Sequence, residues 1–200
     1  MTYQPDRSAF LARAARGNLV PVWRELVLDQ ETPVSLYERF RKALRRGGGA
    51  PQTFLLESVE GGEHIARYSF IGGTPRVTFR ARGRRVEIAP AEGPPRVLEN
   101  TEPLGELRRL MSGYRPVPDP ALPRFFGGAV GYIGYDAVAQ FERAPLCRAP
   151  ESDWPDMIFG ITDTLLVLVS DLFEGGDPQL LIERVAALHL AGVTVVVQPL

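Results

Sequence analysis

Between Thr53 and Glu99 the chain runs through five short segments rich in β-branched and aromatic residues: Phe54 to Ser58, Ala66 to Ile71, Arg76 to Ala81, Arg85 to Ala89 and Arg96 to Glu99. Turn residues separate them. This run constrains the fold more than any other feature, because strands of this length leave backbone donors and acceptors unmet unless they pair into a sheet. The spacing predicts an antiparallel meander. Val77, Phe79 and Ala81 face one way and Arg76, Thr78 and Arg80 the other, as expected of a sheet with one packed and one wet face.

Helices are expected around this core. Phe10, Leu11, Ala14 and Ala15 recur at helical spacing after Ser8, predicting a short amphipathic helix that opens the chain. Asn18 and Leu19 lead into a β-rich stretch from Val20 to Leu28. Thr32-Pro33 reads as an N-cap with proline at the first helical position, starting a helix that runs to about Arg46, where Gly47-Gly48-Gly49 ends it. Leu104, Leu107 and Leu110 form the apolar stripe of another short helix. The proline-rich stretch from Arg115 to Arg124 reads as an extended connector. Phe125 to Asp136 then packs four glycines among aromatic and aliphatic residues, which predicts a strand with a bulge or a close backbone approach at Gly127, Gly128 and Gly131. One strand is expected from Ile158 to Val169, a helix from Pro178 to Leu190 and a last strand from Val193 to Val197.

Composition narrows the function classes. The formal charge is -1, with 23 basic and 24 acidic residues interspersed, so the chain lacks the one-sided field of a nucleic-acid or polybasic membrane binder. Cys147 is the only cysteine, which excludes an internal disulfide framework and a thiolate zinc site. Met1 to Arg16 holds no continuous apolar stretch and Leu165 to Val169 is too short to span a bilayer, so the expected location is cytoplasmic. No catalytic or metal-ligating group is assigned. His64 and His189 are not at ligand spacing, Cys147 has no local histidine partner, and Gly127 to Gly134 lacks both G-x-G-x-x-G order and a Walker lysine.

Three motifs in one order carry a resemblance. They are Phe54-Leu55-Leu56-Glu57-Ser58-Val59-Glu60, then Arg67-Tyr68-Ser69-Phe70-Ile71-Gly72, then Gly127-Gly128-Ala129-Val130-Gly131-Tyr132 with Tyr135-Asp136 and Phe141-Glu142. Together with Leu19-Val20-Pro21-Val22, Asp29 and Thr32-Pro33-Val34, they resemble the N-terminal region of the anthranilate synthase component I family over about residues 18 to 172. The resemblance implies an α+β fold with antiparallel sheets packed face to face and flanking helices. It divides the chain into a regulatory domain, 1-190, and an atypical tail, 191-200, and the chain already departs from the family pattern at Leu172, which stands where a histidine is expected after Asp171. It implies a lyase of tryptophan biosynthesis that converts chorismate to anthranilate and pyruvate. Mg2+ serves as cofactor and a glutamine amidotransferase as partner. On this reading chorismate, magnesium and the acid/base groups belong to a C-terminal half outside these 200 residues, so the chain alone is expected to be inactive.

The family's feedback site for L-tryptophan is formed around a Leu-Glu-Ser motif, matched here by Leu56, Glu57 and Ser58, with Arg67 as a further candidate for the ligand's carboxylate. An amino-acid ligand needs an acceptor for its ammonium, a donor for its carboxylate and an apolar slot for its side chain. On residue types alone, the strand buries its leucines while Glu57 and Ser58 close a turn. The resemblance tips the balance toward binding. Two alternatives stay open: the sister enzyme, aminodeoxychorismate synthase component I of folate biosynthesis, against which Glu57 weighs, and a non-catalytic amino-acid-binding module.

Overall fold

A computed structural model describes residues 3–26, 31–46, 52–57, 68–140, 142, 154–162, 165–169 and 195–197. The chain divides into two compact units that interleave in sequence: Met1–Thr74, Arg115–Gly127 and Asp163–Leu200 in the first, and Pro75–Tyr114 and Gly128–Thr162 in the second.

In the first unit, α1 (Arg7–Ala14) is capped by Asp6, whose carboxylate accepts from the Ser8 hydroxyl and the Ala9 N–H, both at 2.8 Å. The cap falls two residues before the expected start because aspartate reaches both donors. The expected apolar stripe packs no core, for α1 buries no residue and Leu11 is exposed. Helix α2 (Pro33–Arg46) starts as Thr32-Pro33 predicts. Thr32 Oγ1 accepts from the Ser35 N–H at 3.1 Å and Ser35 Oγ accepts from the Thr32 N–H at 2.9 Å, a reciprocal cap. Leu36 and Phe40, one turn apart, are buried.

The first sheet runs in the order β1 (Glu25–Leu26), β10 (Val195–Val197), β9 (Leu165–Val169), β3 (Tyr68–Gly73) and β2 (Thr53–Glu57). β2, β3 and β9 pair antiparallel, whereas β9, β10 and β1 pair parallel. The β-rich stretch from Val20 to Leu28 thus yields, among the described residues, one bridge from Trp23 to Gln4 and the two-residue β1. The proline-rich connector is tied down. Val117 N–H donates to the Leu19 carbonyl at 2.9 Å, Arg115 N–H to Asn18 Oδ1 at 2.6 Å, and Val117 and Leu122 are buried.

The second unit holds a fully antiparallel sheet in the order β6 (Arg96–Leu98), β5 (Arg85–Pro90), β4 (Val77–Arg82), β8 (Met157–Thr162) and β7 (Gly128–Ile133). On one face Phe79, Ala81, Val86 and Met157 form a core, closed by Leu104, Leu107 and Leu110 of α3 (Pro103–Ser112) and by Ala137 of a 3-10 turn, Tyr135–Gln140. The expected leucine stripe is therefore a packing face. The class is α+β, as expected; the second sheet is antiparallel throughout, and the first is antiparallel over β2, β3 and β9 but parallel over β9, β10 and β1.

Two expectations about continuity fail. The Thr53 to Glu99 run is a hairpin, β2–β3, in one sheet and a meander, β4–β5–β6, in the other. The break falls at Gly73-Thr74-Pro75, where Thr74 has φ 43° and the proline has no N–H to continue a ladder. Likewise Ile158 to Val169 is two strands, β8 and β9, belonging to different sheets. Period-2 patterning marks a strand but does not say which sheet it joins.

The glycine-rich strand is β7. Gly127 and Gly128 take positive φ, and a side chain at Gly131 would overlap the backbone carbonyl of Ile158 on β8. The expected close approach is thus to a neighbouring strand of the same sheet. The expected helix from Pro178 to Leu190, Gly47 to Gly49, His64, His189 and Cys147 lie outside the described residues.

Candidate functional site

Strand β2 is the outermost strand of the first sheet, and the candidate residues sit at its C-terminal end. Its register against β3 pairs Phe54 with Gly72, Leu56 with Phe70, and Glu57 with Ser69. Successive residues of a strand point to opposite faces, so neighbouring Leu56 and Glu57 diverge. Leu56 shares a face with Phe54, Tyr68 and Phe70, and with Leu165 and Val167 of β9. This face packs against Trp23, Leu122, Phe125 and Phe126. Glu57 shares the other face with Thr53 and Ile71, where Tyr37 Oη of α2 meets Thr53 Oγ1 at 3.0 Å.

Both candidates are exposed, Leu56 at 43% of its surface. A ligand that takes apolar contact from Leu56 and a hydrogen bond from Glu57 has to straddle the outer edge of β2, since no single face presents both. Ser58 and Arg67 lie outside the described residues. Sequence reasoning missed the aromatic bank beside Leu56. Phe70 meets Phe125 edge-to-face with centroids 5.3 Å apart, and Tyr68 lies 6.0 Å from Phe70. The signal was present in the alternation Tyr68-Ser69-Phe70, which puts both rings on the Leu56 face.

Sequence reasoning also missed a buried polar node. Asp119 accepts from Arg13, from Trp23 Nε1 at 3.3 Å and from the Ala121 N–H at 3.1 Å, fastening α1, the Trp23 segment and the connector together. Burial alone would raise its pKa, but the hydrogen bonds from Arg13, Ala121 and Trp23 together with the Arg13 charge hold it below the ordinary carboxylate value. With its oxygens engaged, Asp119 serves structure. Among the described residues no three His, Cys, Asp or Glu side chains come together to hold a metal ion, so the described residues do not fit Mg2+. No helix among them is long and apolar enough to cross a membrane.

Comparison with known proteins decides the relationship. No family model matches the chain. It is 40% identical to anthranilate synthase component 1 of Acetivibrio thermocellus over 152 residues, which are 75% of this chain and 29% of that protein. It is 38% identical to the Synechocystis component 1 over 164 residues, 82% of this chain and 31% of that protein. This chain is a homologue of anthranilate synthase component 1. The relationship extends to Pseudomonas aeruginosa component 1, 35% identical over 81% of this chain and 32% of that protein. The homologue thus spans about a third of the length of these curated relatives. Among solved structures, anthranilate synthase component I from Streptococcus pneumoniae is similar over 84% of this chain and 36% of that one, at 19% identity and a TM-score of 0.46.

Proposed function

We propose that this chain is the amino-terminal, regulatory part of an anthranilate synthase component 1 and carries one side of an L-tryptophan feedback site at the outer edge of β2. The observation that carries the reading is 33 to 40% identity to proteins of that name over 75 to 84% of the chain. In the complete enzyme, chorismate would be converted to anthranilate and pyruvate with Mg2+ bound outside the residues described here. The name component 1 implies a second component, which we take to be a glutamine amidotransferase.

At β2 the division of faces suits a ligand that is apolar at one end and zwitterionic at the other. Leu56, flanked by Tyr68 and Phe70, offers apolar surface for an indole. Glu57 offers an acceptor for the ammonium, and Ser58 and Arg67 supply donors for the carboxylate. Calorimetric titration of L-tryptophan into the chain tests the site. Glu57→Gln is expected to weaken binding about tenfold, the cost of losing a charge-assisted hydrogen bond. Binding by Glu57→Gln equal to that of the parent, or no binding by the parent, sinks the proposal. With chorismate and ammonia, the chain alone is expected to give no anthranilate fluorescence, and a signal would overturn the assignment of catalysis to the rest of the enzyme.

A further inference from the structure

The apolar face that carries Leu56 is completed by chain from outside the sheet. Tyr68 and Phe70 share the face with Leu56, and Trp23, Leu122 and Phe125 pack there in one cluster. Phe70 is the register partner of Leu56 and meets Phe125 edge-to-face. Trp23 and Phe125 are half-buried, so packing covers only part of each ring. Where these two rings rest decides how much of the Leu56 and Phe70 surface is left for a ligand.

Both rings are placed from one carboxylate. Asp119 is 9% exposed, and Trp23 Nε1 donates to its Oδ2 at 3.3 Å. An indole has a single donor, so that bond selects one rotation of the ring. On the other side, the Ala121 N–H donates to Asp119 Oδ1 at 3.1 Å and the Leu122 N–H to the Asp119 main-chain carbonyl at 3.0 Å. These bonds close a turn of the kind that aspartate favours. The turn sends Leu122 into the cluster and sets the course of Pro123-Arg124, which leads to Phe125. Arg13 reaches the same Oδ2 from α1, but it brings a charge and no ring.

We infer that Asp119 is a positioning residue for the tryptophan site: it holds Trp23 and the course of the chain to Phe125, and so keeps the aromatic wall beside Leu56 set for an aromatic ligand. The inference rests on the reading of the β2 edge as a tryptophan site. A ring released from Asp119 either settles over Leu56 or has to be ordered again when a ligand arrives, and both cost affinity. The ion pair with Arg13 does not share this role. Without Arg13 the carboxylate still accepts from Trp23 and Ala121, so stability falls while the wall stays set. Affinity and stability therefore separate.

The test titrates L-tryptophan calorimetrically into the parent, Asp119→Ala, Trp23→Phe and Arg13→Ala, and unfolds each in urea. Asp119→Ala and Trp23→Phe are expected to bind at least about fivefold more weakly, the cost of re-ordering a side chain on binding. Arg13→Ala is expected to unfold at lower urea yet to bind within about twofold of the parent. A second readout needs no ligand. The chain has 2 tryptophans and Trp154 is 75% exposed, so a Trp154→Phe background leaves Trp23 as the one indole. Acrylamide should quench its emission at least about twofold more in Asp119→Ala than in the parent, and no more in Arg13→Ala. Unchanged affinity in Asp119→Ala and Trp23→Phe, an Arg13→Ala affinity loss as large as that of Asp119→Ala, or unchanged quenching would each overturn the inference and leave the tryptophan site standing. A parent that binds no L-tryptophan, with quenching that rises as expected, instead overturns the tryptophan site itself and with it any role of Asp119 toward that ligand.

Discussion

The two sheets of this chain are assembled differently. The antiparallel sheet is organised around a local run, in which β4, β5 and β6 follow one another through short turns before β7 and β8 join from later in the chain. The first sheet has one local hairpin, β2–β3, and fetches its other strands from both ends of the sequence, with β1 paired to β10. Pairing across a long loop costs more chain entropy before any contact repays it, and the parallel pairs are slightly less stable per residue. The candidate ligand edge lies at the hairpin end of the second mode of assembly. A binding edge can sit there because β2 is anchored by a neighbour close in sequence.

Core substitution in the locally built sheet gives the largest expected effect. Phe79 is fully buried against Ala81, Val86 and Met157, and Phe79→Ala is expected to cost about 3–5 kcal/mol in urea unfolding. A loss below about 1 kcal/mol would mean that the core of the locally built sheet does not close tightly around Phe79. Gly131→Ala comes next. Its new Cβ would overlap the Ile158 carbonyl, and because backbone cannot move aside as a flexible side chain can, overpacking should cost about 1–3 kcal/mol. An unchanged unfolding midpoint would show that β7 and β8 are not held this closely.

Asp119→Ala carries the comparison into the first unit. It leaves Arg13 and Trp23 Nε1 without their acceptor, and because Arg13 is partly solvated the expected loss is about 1–2 kcal/mol. The loss should depend on pH with a definite sign. The folded-state pKa lies below the unfolded one, so the stabilisation is present above about pH 4 and disappears as pH falls further. Parent and variant should therefore converge in acid. Asp6 and Glu106 also titrate below their ordinary values, Asp6 through the Ala9 N–H and Glu106 through Arg109 and Thr101, but both are common to parent and variant. A gap that does not narrow at all as pH falls below about 4 would assign the Asp119 contribution to packing rather than to charge.

Local signals were the legible ones. Thr32-Pro33 marked the start of α2, the leucine spacing marked α3, and the alternation through Val77, Phe79 and Ala81 marked the core face of β4, although Thr78 on the face expected to be wet is buried as well. What could not be read was allegiance. Nothing in β3 and β4 says that they enter different sheets, because Gly73-Thr74-Pro75 resembles any other turn until the pairing partners are known. Nor did the sequence disclose Asp119, whose partners Arg13 and Trp23 lie about a hundred residues away. At the candidate site the residue types were legible, but the motif reading treated Leu56 and Glu57 as one cluster, whereas the register sends them to opposite faces.

The smallest expected effect separates the two reasons for which this chain uses glycine. At Gly83, between β4 and β5, φ is +53° and nothing lies within 4 Å of where a Cβ would stand. The constraint there is conformational, so Gly83→Ala should cost about 1 kcal/mol, the ordinary penalty for an L-residue in the left-handed region. Asparagine tolerates that region through its own backbone hydrogen bonds, so Gly83→Asn should recover most of the loss. At Gly131 the constraint is the Ile158 carbonyl, and asparagine, which is larger than alanine, should be worse. Unfolding midpoints for alanine and asparagine at both positions thus predict opposite orders: asparagine above alanine at Gly83, and below it at Gly131. The same order at both sites would mean that one physical cause governs the turn and the strand alike.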